Sequence, residues 1–279
     1  MRRLLTALLA LVLVGLLALA GCSGGSDDDN AETPTPSATA SRTPVAPPEP
    51  PAEGACYRLS WAEIMEPTTT AEPVSCKKPH TARTVAVGEL DTVVDGHLLA
   101  IDSDHVRKQP PARCARAVDA YLGGSVEQRR LSMITSAWFA PTVEASDAGE
   151  QWYRCDVVAI AAPERLAELP SSLKGVLDSE AGRTRFGMCG TAQPGTPDFE
   201  RVQCASRHSW QATGTVEVKG AKGDKWPGKA AAERAGAERC KELARRGASD
   251  ALNYKWGYEW PTAEQWKAGR RYGICWAPA

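Results

Sequence analysis

The order of apolar and polar positions predicts two similar groups of strands, each with one main helix. Short stretches rich in β-branched residues or with alternating polarity are typical of strands. They cover residues 56–59, 74–76, 84–90, 131–139 and 153–161, and then residues 187–189, 201–204, 211–218 and 270–276. Helical periodicity begins at Pro110 in the first group and covers residues 229–246 in the second. The pattern predicts an α+β protein of two tandem repeats, each a small, mostly antiparallel sheet with one helix.

The amino terminus has the pattern of an export signal. Two arginines precede an apolar run over residues 4–20 that ends in small residues and leads into polar sequence. This is typical of a cleaved signal peptide, here residues 1–21, rather than of a membrane span. Leu19-Ala20-Gly21-Cys22 resembles a bacterial lipobox, which implies cleavage before Cys22 and a lipid on its sulfur. The alternative is an ordinary signal with a chance cysteine.

Residues 22–53 have the composition of a disordered tether. They contain seven prolines among Gly, Ser, Thr, Asp, Glu and Ala, and Val45 is their only large aliphatic residue. Such a segment buries too little apolar surface to offset its conformational entropy. Export and the lipid on Cys22 together predict a folded part held on the extracytoplasmic face of the cell membrane.

The remaining eight cysteines form two sets of four. The sets are Cys56, Cys76, Cys114 and Cys155, then Cys189, Cys204, Cys240 and Cys275. Matched members lie 133, 128, 126 and 120 residues apart, which indicates a tandem repeat over residues 54–162 and 186–279 with a linker at 163–185. We call residues 54–185 the first half and residues 186–279 the second half.

An even number of cysteines in an exported chain indicates disulfides. The repeat reduces 105 possible pairings to three, if both halves pair alike. We favour first with second and third with fourth, because these pairs would join adjacent short strands and tie each helix to a last strand. The favoured pairs are Cys56–Cys76, Cys114–Cys155, Cys189–Cys204 and Cys240–Cys275.

A second similarity precedes the last cysteine of each half. Pro141-Thr142 and Pro261-Thr262 both lie fourteen residues before that cysteine, counted from the proline. Glu144 matches Glu264, and Gly149 matches Gly269. Equal spacing predicts one backbone conformation in both halves, with each glycine in a turn that requires positive φ.

The charge balance excludes one class of partner. Removal of the signal would leave 31 Lys and Arg against 34 Asp and Glu. A nucleic-acid-binding protein needs a basic face, so we expect no nucleic-acid partner.

His80 and His208 each follow the second cysteine of their half by four residues. Four roles are open: a metal ligand, a general base, a ligand-recognition group, or a structural group whose ring bonds to the backbone of the turn. A cysteine committed to a disulfide cannot be a metal ligand, and only Glu144 and Glu264 are shared carboxylates. We therefore favour the structural role, expect no metal or other cofactor, and expect alanine at both positions to leave folding near normal.

The chain contains nine tryptophans but only three phenylalanines. They can fill a core that has few large aliphatic residues, or they can form a surface that stacks on glycans or protein partners. Strand alternation would place Trp256, Tyr258 and Trp260 on one face, which makes these three aromatic residues the candidate binding surface.

Together these residues resemble the septum formation domain family. The resemblance rests on Gly54-Ala55-Cys56, on the run from Cys76 to Pro79-His80, on the helix that carries Cys114 and ends near Tyr121, and on the Pro, Gly and Cys ending. It covers the chain from about residue 54 onward. The family occurs on exported or membrane-linked proteins of actinobacteria, singly or in tandem, and implies a role around cell division. In the second half Arg207 replaces Pro79, so the turn there is expected to differ.

We therefore expect a lipid-anchored envelope protein whose two non-enzymatic modules bind an envelope protein or a wall component. The alternative is a wall-acting hydrolase or transferase that uses a histidine and a glutamate. We find no His-Glu-x-x-His helix or phosphate-binding glycine loop in the sequence.

Overall fold

The computed structural model describes residues 48–279. The predicted signal peptide, the lipid site at Cys22 and most of the tether lie outside these residues, so they remain predictions. None of the helices in the described part is long and apolar enough to cross a membrane.

The described chain alternates short strands and helices. The strands are β1 (Cys56–Tyr57), β2 (Ala82–Glu89), β3 (Val93–Val94), β4 (His97–Leu98), β5 (Ile134–Phe139), β6 (Trp152–Ala162), β7 (Arg165–Leu166), β8 (Met188–Gly190), β9 (Arg201–Gln203), β10 (Trp210–Glu217), β11 (Gly257–Glu259) and β12 (Tyr272–Pro278). The α-helices are α1 (Trp61–Ile64), α2 (Asp104–Arg107), α3 (Gln109–Leu122), α4 (Val126–Arg130), α5 (Val143–Asp147), α6 (Glu180–Phe186), α7 (Lys229–Gly247) and α8 (Ala263–Lys267), with a 3₁₀ turn at Val176–Asp178. The protein is α+β, as predicted.

Each half contains one five-stranded antiparallel sheet, and the first half also has a separate two-stranded sheet formed by β3 and β4. In the first half the strand order is β1-β2-β6-β5, with β7 paired to β6. In the second half the order is β11-β12-β10-β8-β9. The central pair therefore joins the third predicted strand of each half to its last strand, as β2 with β6 and β10 with β12.

The two sheets also share an irregularity. The register of β2 against β6 shifts between Thr84 and Ala86, and the register of β10 against β12 shifts between Ala212 and Gly214. The shifted residues are 128 positions apart, which is also the separation of Cys76 from Cys204. A bulge is an extra residue that bends its strand, so the two sheets bend at the same place.

Four disulfides connect these elements. They are Cys56–Cys76, Cys114–Cys155, Cys189–Cys204 and Cys240–Cys275, the pairs that the sequence analysis favoured. In each half the second disulfide ties the main helix, α3 or α7, to the last long strand. Chain entropy predicts roughly 3 to 4 kcal/mol for each such crosslink.

The segment 163–185 completes the core of the first half. Its residues Leu169, Leu173 and Leu177 are buried with Val118 of α3 and Val157 of β6. This segment is the linker that the repeat spacing predicts between the halves. It packs on the first.

The two halves share backbone hydrogen bonds and an apolar cluster. The amide of Met133 donates to the carbonyl of Phe186 at 2.7 Å, and the amide of Met188 donates to the carbonyl of Leu131 at 2.8 Å. Met133 and Met188 are buried with Ile274 and Trp276 of β12. Residues of both halves therefore form one core where they meet.

Candidate binding site

The two matched histidines make the same local hydrogen bond. The ring Nδ1 of His80 lies 2.8 Å from the carbonyl oxygen of Lys78, and the ring Nδ1 of His208 lies 2.8 Å from that of Ser206. A carbonyl only accepts, so Nδ1 carries the proton in both rings. Loss of the proline in the second half does not prevent this bond.

The surroundings of the two rings differ. His80 is 1% exposed, and its Nε2 is buried without a hydrogen-bond partner among the described residues, whereas His208 is half-buried. Truncation of His80 to alanine would leave a buried cavity. The expectation that both alanine replacements leave folding near normal therefore fits His208 but not His80.

The matched glutamates lie at helix starts. Glu144 and Glu264 are exposed residues in the first turns of α5 and α8. Hydrogen bonds from their own backbone amides, and further ones from Thr142 and Thr262, lower the pKa of both carboxyls. Within the described chain no hydrogen bond joins either glutamate to His80 or His208. Also within residues 48–279, no group of three or more His, Cys, Asp or Glu is placed to hold a metal ion.

The candidate aromatic residues line one cleft of about 520 Å³ in the second half. We call it the aromatic cleft; its lining includes Pro194, Glu233, Arg234, Trp256, Tyr258 and Trp260. Strand β11 carries Tyr258 and is flanked by the two tryptophans, while α7 supplies the charged residues. The structure thus brings together the three aromatic residues selected from the sequence.

Trp256 and Trp260 form the open part of the aromatic cleft. Both are half-buried, and a lysine lies near each ring, with Nζ of Lys241 at 5.3 Å from the Trp256 centroid and Nζ of Lys229 at 6.0 Å from that of Trp260. Flat aromatic surface beside fixed polar groups suits a ligand with an apolar face and several hydroxyl or amide groups.

Tyr258 is the fixed base of the cleft. Its hydroxyl donates to the carbonyl of Ala232 at 3.3 Å, and its side chain is packed with Cys240 and Cys275. Burial raises the pKa of Tyr258 to about 12, so the hydroxyl stays protonated at neutral pH. Tyr258 therefore serves the core and also lines the cleft.

Sequence reasoning missed a buried charged cluster in the first half. Arg154 is 3% exposed and Asp156 is 0% exposed, and Arg154 Nε lies 3.3 Å from Asp156 Oδ2. The hydroxyl of Thr84 donates to Asp156 Oδ1 at 2.7 Å. The Arg154 guanidinium lies 3.7 Å from the ring centroid of Tyr57 and 4.7 Å from that of Phe139. The available signal was the placement of Arg154 and Asp156 on one face of an otherwise apolar strand.

Comparison with known proteins gives one result. The family model described as Septum formation matches residues 53–275, most of the chain, in a match that spans both halves. No curated protein and no solved structure matches the chain. The chain therefore belongs to the septum formation family.

Proposed function

We propose that this protein is exported, is held on the extracytoplasmic face of the membrane by a lipid on Cys22, and binds a wall glycan through the aromatic cleft without catalysing a reaction. Membership of the septum formation family suggests a role related to septum formation. The observation that carries the binding proposal is the convergence of Trp256, Tyr258 and Trp260 on one cleft with polar groups at its edge.

The covalent framework supports export. Four disulfides over eight cysteines are typical of proteins that fold outside the reducing cytosol. The lipobox-like segment before Cys22 supports the anchor. We further propose that the halves are copies of one module, because their central strands, bulges and disulfides correspond.

A binding role is favoured over a wall hydrolase or transferase that uses His and Glu. A general base must reach the proton that it removes, directly or through one water. The ring of His80 is buried, whereas Glu144 is exposed at a helix start. His208 donates its Nδ1 proton to the backbone, and Glu264 is bound to its own helix terminus.

The first test measures binding of the purified full-length protein to soluble wall glycan fragments. Trp256→Ala and Trp260→Ala should each weaken binding about tenfold or more, because a buried aromatic contact contributes on the order of 2 kcal/mol. Trp61→Ala is the matched control, since Trp61 is half-buried on α1 and lies outside the cleft. Equal binding by all four proteins would exclude the cleft as the glycan site.

A crosslinking pull-down from dividing cells distinguishes a glycan from a protein partner. Recovery of wall fragments by wild type, and their loss in the Trp256→Ala and Trp260→Ala variants, would support the proposal. Recovery of one protein that depends on these tryptophans, with no glycan, would replace the glycan with a protein partner.

A further inference from the structure

A second cleft, of about 300 Å³, lies where the two halves meet. We call it the arginine cleft; its lining includes Arg130, Met133, Met188, Arg201, Arg270 and Tyr272. Met133 and Met188 belong to the apolar cluster shared by the halves, so one side of the cleft is apolar. Arg130, Arg201 and Arg270 contribute guanidinium groups to the lining.

Most of the arginines at this cleft already have anionic partners. Arg129 also contributes to the lining, which makes four arginines in total. Three of them form the pairs Arg129–Asp119, Arg130–Glu217 and Arg201–Glu259. Arg201 occupies both carboxylate oxygens of Glu259, at 3.2 and 3.0 Å.

Arg270 differs from the other three. Among the residues that the structure describes, it has no salt bridge, and its Nη2 is buried without a hydrogen-bond partner. Its Nε donates to the carbonyl of Tyr272 at 3.1 Å. The Tyr272 ring packs against two guanidinium groups, with Arg130 at 4.1 Å and Arg270 at 5.1 Å from its centroid. These contacts fix the Arg270 side chain in place.

The surroundings of Arg270 disfavour its charge. Burial lowers the pKa of Arg270 and the charge of Arg201 lowers it further, although the charge of Glu259, which Arg201 already binds, opposes this fall. A buried charged donor without an acceptor is costly, whereas a guanidinium that meets a carboxylate gains short, charge-assisted hydrogen bonds. A ligand that brought one negative charge to Arg270 would remove this cost.

We propose that the arginine cleft binds a ligand with one carboxylate attached to a small apolar body, and that Arg270 holds the carboxylate. One unpaired cation calls for one negative charge, and the methionine side of the cleft suits the apolar body. This proposal does not rest on the aromatic cleft, which lies on other residues. Since both halves line the arginine cleft, the ligand also stabilises their junction.

The test compares three probes on the purified full-length protein by calorimetry. N-acetyl-leucine carries a carboxylate and an apolar body, N-acetyl-leucinamide keeps the body without the charge, and inorganic phosphate supplies charge without the body. We expect N-acetyl-leucine to bind at least tenfold more tightly than either of the others. Failure of N-acetyl-leucine to bind, or equal binding of the amide or of phosphate, would overturn the proposal.

Variants and hydrogen exchange locate the binding. Arg270→Gln should weaken the binding of N-acetyl-leucine at least tenfold, while Arg246→Gln, an equal charge change at an exposed position of α7, should not. In the wild-type protein, N-acetyl-leucine should slow amide hydrogen exchange in residues 131–135 and 187–190. This measurement does not depend on the folding of any variant. Unchanged affinity in a folded Arg270→Gln variant, or no protection of these segments in wild type, would place the ligand elsewhere.

Discussion

Arg154 and Asp156 form a buried ion pair that the second half lacks. The matched positions, 120 residues later, are Ile274 and Trp276, and both belong to the apolar cluster shared by the halves. The position matched to Thr84 is Ala212, in the same cluster. One strand arrangement thus accommodates either a charged or an apolar group at this place. Replacement of a buried pair by apolar residues is often neutral or stabilising, whereas loss of one partner is costly.

The first prediction tests this asymmetry. Asp156→Leu leaves the Arg154 guanidinium buried without its partner and should lower the free energy of unfolding by about 3 to 5 kcal/mol. The triple variant Thr84→Val, Arg154→Met and Asp156→Leu removes the whole polar group and should recover most of that loss. Urea unfolding of the three proteins measures the difference. A triple variant as unstable as the single variant would contradict the prediction.

The Arg154–Asp156 pair also makes the free energy of unfolding depend on pH. Burial raises the pKa of Asp156 above its ordinary value of 3.8, although the Arg154 charge and the Thr84 hydroxyl oppose the rise. The folded state therefore holds this proton more tightly than the unfolded chain does. The contribution of Asp156 to stability is then greatest below pH 3.8 and decreases as pH rises through the folded-state pKa. Between pH 3.8 and the folded-state pKa of Asp156, the free energy of unfolding of the triple variant should rise relative to that of wild type as pH rises. The contributions of the other carboxyl groups are the same in both proteins and cancel in the comparison.

Sequence reasoning predicted local features of single residues better than their surroundings. The bonds of His80 and His208 span two residues, so the spacing after each cysteine already constrained them. Burial of Arg154 depends on which chain segment covers its face of the sheet. The residues that cover the Arg154 guanidinium include Tyr57, which lies more than ninety positions earlier in the chain. The alternation of residues along β6 does not indicate which distant segment covers this face.

At the scale of elements, α7 and β12 approach closely because of two glycines. A Cβ added at Gly236 of α7 would lie 2.2 Å from the Tyr258 ring, and one added at Gly273 of β12 would lie 2.3 Å from it. The ring of Tyr258 therefore lies against glycine on both the helix and the strand. Glycine in a helix interior lowers the stability of the helix relative to alanine. In the structure, Gly236 leaves the space that the Tyr258 ring occupies at the base of the aromatic cleft.

The second prediction reverses the usual effect of alanine in a helix. Alanine normally stabilises a helix interior by about 1 kcal/mol relative to glycine. Gly236→Ala should instead destabilise the protein by about 1 to 3 kcal/mol, because its methyl group meets the Tyr258 ring. Gly247→Ala is the control on the same helix, since a Cβ there meets nothing within 4 Å. Thermal unfolding of both variants checks the sign; a stabilised Gly236→Ala would contradict it.

The sequence predicts the long helix and the matched turns well, but it does not predict the shortest helices. The long helix was predicted over residues 229–246 and spans Lys229–Gly247. The equal turns before the last cysteines were predicted too, and Gly149 and Gly269 have φ of 104° and 93°. The five-residue helices α5 and α8 inside those segments were not predicted, because so few residues show no helical period. Their threonine caps, Thr142 and Thr262, are local signals of a helix start.

At the scale of the whole molecule, the halves form one compact unit rather than two separate domains. The described residues, 48–279, cluster together, and Met133 of the first half shares its apolar cluster with Met188 and Trp276 of the second. The cysteine spacing predicts two tandem modules, but it does not show whether the two modules share a core. The arginine cleft exists only because the halves meet.

The last prediction tests the lipid anchor on Cys22 and the four disulfides independently of each other. If Cys22 is lipidated and the other eight cysteines are paired, Cys22→Ala should release the protein from the membrane fraction and leave it without free thiols. Ser23→Ala is the control and should stay in the membrane fraction, because it keeps the cysteine. Non-reducing peptide mapping of both variants should show Cys56 joined to Cys76 and Cys240 joined to Cys275. Retention at the membrane of a Cys22→Ala protein whose signal peptide has been removed would refute the lipid anchor, whereas a Cys56 peptide joined to Cys114 would refute the pairing alone.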